Sequence, residues 1–268
     1  MGIITVSRGC YSRGKEIAEK LAQQLGYECV SREILIEASE TFNVPEIKLV
    51  RALHDSPSVL DRFTYGKEKY VSYIREALLE HVSKDNVIYH GLAGHFFLRG
   101  VPHILKVRII ANLEDRVREE MKRENITEKE ARYVLKKDDE ERRKWSLYLY
   151  GIDTSDPSLY DVVLHIDNLR VDDAVEVLAN MAKRPCFQTT PETKKTLNDL
   201  LLAARAHAAL VDEFPMAEVS SHDGVVYVSL KGTGIREPSA SEEVSRLLSG
   251  IEGIKDIRIN IIPLITPD

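Results

Sequence analysis

Nothing in the 268-residue chain approaches the roughly 18 to 20 consecutive apolar residues of a bilayer-spanning helix, so no integral membrane association is expected. Cysteine is scarce. Cys10, Cys29 and Cys186 are odd in number and far apart, fitting neither a disulfide framework nor a zinc knuckle, and a reducing cytoplasm is the expected compartment. The first residues run straight into GIITVS, with no charged segment ahead of an apolar run, and do not read as a signal peptide. Surplus positive charge is missing as well: the net charge of −6 argues against a nucleic-acid partner. There is no internal repeat and no low-complexity tract. What remains, 43% hydrophobic and 30% charged, suits a soluble globular protein with a substantial core, long enough for one large domain and a smaller one.

Short apolar, β-branched runs read as strands at 3–7, 27–30, 86–91, 104–112 and 161–167. Between them lie helical patterns. Ile17, Leu21 and Leu25 recur every four residues up to a stop at Gly26. Residues 31–42 read as helical, and residues 45–83 as helices broken near HDSPSVLDRFTYG. Helices are also expected over 113–125, over 127–151 with Thr127 and Glu130 in capping-box spacing, and over 171–183. Strands alternating with helices predict an α/β core, a five-stranded parallel sheet with helices on both faces.

The prolines and polar residues of KRPCFQTTPE break this pattern, and a linker is placed at 185–192 between a core domain of 1–184 and a small domain of 193–268. The small domain reads α-β-β-α-β: a helix near 193–213, a hairpin with an Asp-Gly turn, a capped helix and a last strand.

The opening strand leads into GCYSRGK, a G-x-x-x-x-G-K spacing ahead of a helix. Free N–H groups of a first helical turn and the helix dipole suit phosphate. Gly9 and Gly14 permit close backbone approach, and Lys15 could reach the β- and γ-phosphates. The next position, where a hydroxyl for magnesium is expected, is Glu16. That carboxylate would repel phosphates unless it points away or approaches them through the metal.

The stretch ITVSRGCYSRGKEIAEKLAQQLGYECVSREIL resembles the opening of the cytidylate kinase-like family of P-loop proteins. The match is carried by Ser7, Arg8, Ser12, Gly14, Lys15, Glu16, Ile17, Leu25, Gly26, Arg32 and Glu33. Glu16 thus belongs to a variant loop of this family. Arg13 and Ser31 depart from it, standing where the family usually has glycine and aspartate.

The resemblance implies a P-loop kinase core that binds ATP with Mg2+ through Gly9, Ser12, Arg13, Gly14, Lys15 and Glu16. It implies phosphoryl-clamping roles for Arg116, after the fourth strand, and for Arg142 of an Asp-x-x-Arg pair with Asp139 in a lid-like helix. Arg8, Arg32, Gly91, Gly94 and Asp139 are implied on the acceptor side, and Leu92 takes a place where an arginine is common.

Residues 106–144 carry thirteen basic and eleven acidic side chains, so most of these charges are expected to be paired on the surface. Even so, Asp138 and Arg142 interrupt the apolar stripe of Ala131, Val134, Leu135, Trp145 and Leu149. His90 and His95 are expected to be packed or capping residues.

The resulting expectation is ATP-dependent transfer to a nucleoside monophosphate, CMP or dCMP, with nucleotides as partners and no general base needed. Two alternatives stand beside it: a nucleotide-binding regulator with little turnover, and a P-loop kinase for another small acceptor. The C-terminal domain resembles BON-like modules in pattern and is expected to take a partner or ligand, with an inert packing role equally open.

Overall fold

The computed structural model describes residues 2–8, 13–31, 33–43, 66–91, 94–232 and 237–263. The expected loop residues Gly9 and Ser12, together with Cys10, Arg32 and Leu92, lie outside the described residues, as do the helices expected over 45–65.

Five parallel strands, β1 (Ile3–Arg8), β2 (Glu28–Val30), β3 (Val87–His90), β4 (Ile104–Ala111) and β5 (Val162–Ile166), form one sheet in the order β2-β3-β1-β4-β5. Nine helices are described: α1 (Gly14–Leu25), α2 (Glu33–Thr41), α3 (Gly66–Val82), α4 (Gly94–Phe97), α5 (Leu113–Glu124), α6 (Glu128–Tyr150), α7 (Val171–Ala182), α8 (Pro191–Leu210) and α9 (Glu237–Leu248).

Strand alternation sorts the core into two layers. Ile4, Val6, Leu105, Val107 and Ile109 meet α1 and α7 on one face. Ile3, Val87, Tyr89 and Ile104 meet α2, α3, α4 and α8 on the other. Strands buried on both faces in this way are the reason that these runs are almost wholly apolar. β1 and β3 are neighbours whose following helices go to opposite faces, which opens a crevice at their carboxyl ends, the usual ligand position in such sheets.

The C-terminal unit is a second sheet in the order β6-β7-β8, formed by β6 (Glu218–His222), β7 (Val225–Gly232) and β8 (Asp256–Pro263). β6 and β7 are antiparallel, and β7 and β8 parallel. Asp223 (φ 54) and Gly224 (φ 84) both take positive φ, the type I′ geometry that an Asp-Gly hairpin favours.

Helix α8 begins at Pro191, inside the expected linker, because proline suits a first helical position and Thr190 caps it. It serves both units. Leu197, Leu201, Ala204 and Ala208 enter the core of the large sheet. Leu202, Ala206 and Leu210 enter that of the small one, against Val226, Val228 and Val244. Polar contacts flank the first stripe: Arg205 pairs with Glu80, and Ser72 Oγ lies 2.7 Å from His207 Nδ1. The rest of the expected linker is also docked, with a 3-10 turn at Pro185–Phe187 whose phenylalanine packs on the α1 side of the core. No helix among the described residues is long and apolar enough to cross a membrane.

Candidate active site

The first turn of α1 stands at the carboxyl end of the central strand β1. Its N-cap is Arg13, with φ 61 and ψ 13, and the Arg13 side chain makes no capping hydrogen bond to the turn. The leading N–H groups of the helix therefore keep their donors for another acceptor, as anion binding requires. Arg13 adopts the left-handed conformation that glycine takes without cost. The glycine expected here from the family resemblance would take this conformation without strain, and the strain at Arg13 is not visible in the spacing of the motif.

Glu16 does not face a bound phosphate alone. Its carboxylate lies 3.8 Å from Arg13 and 3.4 Å from Lys20, so two cations offset its charge. Lys20 also reaches Asp172 of α7 at 2.8 Å, and that hydrogen bond raises the Lys20 pKa above its ordinary value. Lys15 is exposed, its only ion pair among the described residues being with Glu19 at 3.6 Å. It is thus free to swing toward a ligand above the turn.

A cavity of about 460 Å3 opens beside this turn. Arg13 and Glu16 of α1, Arg118 and Glu119 of α5, and Asp167 and Arg170 between β5 and α7 contribute to its walls. Its size is that of small-molecule and cofactor sites. Arg13 and Glu119, both in its walls, form a 3.2 Å ion pair.

Two of the expected site residues, Arg116 and Asp139, come together. Arg116, in the first turn of α5, is largely buried, and its guanidinium donates to Asp139 of α6 at 2.8 Å. Arg142 is one helical turn beyond Asp139 on the same side of α6. Asp139, expected on the acceptor side, thus also pairs with an arginine of the neighbouring helix. The α6 helix begins with the expected capping box, Thr127 with Glu130, and ends at Gly151 in a left-handed cap.

Gly91 and Gly94 have a local reason to be glycine. A Cβ on Gly91 would lie 2.4 Å from Tyr89 Oη, and one on Gly94 would lie 2.3 Å from Tyr89 Cδ1. The buried tyrosine ring fills the space that both glycines leave, and burial pushes its hydroxyl pKa up, keeping it neutral. The side chain of Arg8 lies outside the described residues. His90 and His95 are buried, in line with packing roles. Asp161 accepts from Lys106 N at 2.8 Å and aligns the start of β5 with β4.

Sequence reasoning missed Arg108. It sits in β4 level with Ser7 and contacts Tyr160. A single arginine inside an apolar strand run, IL-K-V-R-IIA, was the signal that could have marked it.

A model of the cytidylate kinase-like family matches residues 3–168 of this chain. Among curated proteins, the cytidylate kinase of Pyrobaculum aerophilum is 27% identical over 179 residues, which cover 66% of this chain and 90% of that protein. The cytidylate kinase of Methanosarcina acetivorans is 36% identical over 86 residues, 31% of this chain and 47% of that protein. That of Sulfurisphaera tokodaii is 30% identical over 97 residues, 36% of this chain and 53% of that protein. The chain thus spans about half the length of these last two relatives. In fold, an uncharacterized protein from Eubacterium ventriosum is similar with a TM-score of 0.52 and 18% identity, covering 69% of this chain and 100% of that one.

Proposed function

The chain belongs to the cytidylate kinase-like family, and on that footing we propose that it transfers a phosphoryl group from ATP to a nucleoside monophosphate, CMP or dCMP. The observation that carries this reading is the uncapped first turn of α1 at the end of the central strand, beside a cavity of nucleoside size. In it the leading N–H groups of α1 and Lys15 hold the donor polyphosphate, and the donor base occupies the cavity between α1, α5 and α7.

Phosphoryl transfer asks mainly for positioning and for positive charge on the moving group. Arg116, held by Asp139, and Arg142 supply that charge from the α5–α6 junction. Lys15 supplies it from the helix mouth. The acceptor phosphate is already ionised at neutral pH, and no general base is required.

Magnesium supplies charge neutralisation on the polyphosphate when bound. Among the described residues no group of three acidic, histidine or cysteine side chains could cage a metal, and Glu16 is engaged by Arg13 and Lys20. A cation bound with the nucleotide would be held chiefly by the phosphates and by its own waters.

ADP release measured with a panel of nucleoside monophosphates tests the proposal. Turnover fastest with CMP or dCMP supports it; no ADP with any acceptor, despite tight ATP binding, refutes it. That second result is the one favoured by the regulator reading, which draws on Arg13: a strained, non-glycine cap tied to Glu119 in the wall of the donor cavity.

A further inference from the structure

Arg108 is a half-buried cation that the donor site does not use. Its register partner in β1 is Ser7, at the root of the loop. Because Leu105, Val107 and Ile109 face α1 and α7, Lys106 and Arg108 emerge on the opposite side of the sheet, with α4. There Arg108 Nη1 donates to the Thr154 carbonyl and, at 3.2 Å, to Tyr160 Oη. That hydroxyl lies 3.2 Å from Ser7 Oγ, and the Tyr160 ring is 5.1 Å from the ring of His95.

Two features mark this cluster as unfinished within the protein. Among the described residues no carboxylate pairs with Arg108, and only one of its three guanidinium nitrogens has a partner. Lys106, its neighbour on the same face, does have one in Asp161, at 3.6 Å. Secondly, His95 Nε2 and Thr5 Oγ1 are buried on this face with no hydrogen-bond partner among the described residues. Burial, with Arg108 and Lys106 nearby, lowers the His95 pKa to about 4, so the ring stays neutral and adds no charge of its own. A partly desolvated guanidinium without a counterion is costly unless an anion completes it.

The donor cavity lies on the α1–α7 side of the sheet, and in-line transfer puts the acceptor across from the donor. We propose that Arg108 recognises the acceptor's anionic group, a phosphate monoester, through the guanidinium edge left open beside Ser7 and Tyr160. This rests on the proposed transfer reading for the identity of the ligand. Tyr160 acts as a positioning residue, fixing the guanidinium against Ser7.

The test titrates CMP, and cytidine as the phosphate-free control, into the full chain in the presence of a non-hydrolysable ATP analogue. Arg108→Met keeps the side-chain bulk and removes the charge; Arg108→Lys keeps the charge and loses the fork. Loss of a charge-assisted contact predicts CMP binding about ten- to a hundredfold weaker in Arg108→Met, with Arg108→Lys in between. Cytidine and the ATP analogue should bind as in the wild type, which a merely structural role of Arg108 would not produce.

CMP affinity unchanged in Arg108→Met overturns the inference. So does an equal loss for CMP, cytidine and the ATP analogue, and so does a wild type that binds CMP no better than cytidine. Failure to form ADP strikes the transfer reading alone, because Arg108 is read here by binding.

Discussion

Replacing Lys15 by alanine separates binding from folding more cleanly than any other change at the helix mouth. The side chain is mostly exposed, and its one ion pair among the described residues, 3.6 Å to Glu19, joins two exposed groups. Such an i,i+4 pair contributes about 0.3–0.5 kcal/mol, and here the lysine precedes the glutamate, the weaker order. Alanine recovers a few tenths through its helix propensity. The two terms cancel to within about 0.5 kcal/mol, so the melting temperature should move by no more than about 2 °C.

Removing an ammonium that bonds a phosphate costs about 1.5–3 kcal/mol, or roughly a ten- to 150-fold weaker ATP dissociation constant. Calorimetric titration of ATP into both proteins, beside thermal melts, reads the two quantities separately. An unchanged dissociation constant in Lys15→Ala would refute the donor assignment. A large drop in melting temperature would show instead that Lys15 holds the fold.

Other perturbations have equally definite outcomes. Asp139→Ala removes an acceptor of the largely buried Arg116 guanidinium; a loss of about 1–3 kcal/mol in urea denaturation is expected, with a fall in kcat and little change in ATP affinity. Glu76, on α3, has its pKa raised to about 7 from 4.5 by burial, with Glu80 adding to the rise and Arg205 opposing it. A carboxylate pKa raised by folding costs no stability below about pH 4.5 and its full amount above pH 7. Glu76→Gln should therefore stabilise at pH 8 by about 1–2 kcal/mol, half of the ceiling that the shift allows because the group keeps some contact with water. Urea curves giving the same change at pH 4.5 and pH 8 would rule this out. Gly94→Ala forces a methyl against Tyr89 and should destabilise by about 1–3 kcal/mol, and a neutral melt would mean that the ring moves aside freely.

Much of the large sheet was legible because its strands are apolar on both faces and its helices are amphipathic. Thr127 with Glu130 marked the start of α6, Gly26 and Gly151 marked helix ends, and Asp223-Gly224 marked the hairpin. Local chemistry fixes such features, so a short window of sequence suffices. The left-handed backbone of Arg13 was hidden because its side chain advertises no such preference, and the Arg13–Glu119 pair joins residues more than a hundred positions apart.

Arg108 escaped for a related reason. Its meaning depends on strand register against Ser7 and on Tyr160 arriving from another segment. The start of α8 was hidden because Pro191 breaks a helix when interior but opens one at the first position. Arg116 and Asp139 could be singled out separately, but only the crossing of α5 and α6 pairs them.

The two apolar stripes of α8 tie the fate of the large sheet to the chain beyond it. A truncation after residue 184 would strip Leu197, Leu201, Ala204 and Ala208 from the interior they complete, leaving the flank of Tyr73 and Leu78 open to water and prone to self-association. Severing the hairpin sheet instead would bare Leu202, Ala206 and Leu210. Neither half can be discarded without wetting a surface built to stay dry, and a displacement of the small sheet would be felt along α3, the helix that leads from residues 44–65 back to β3.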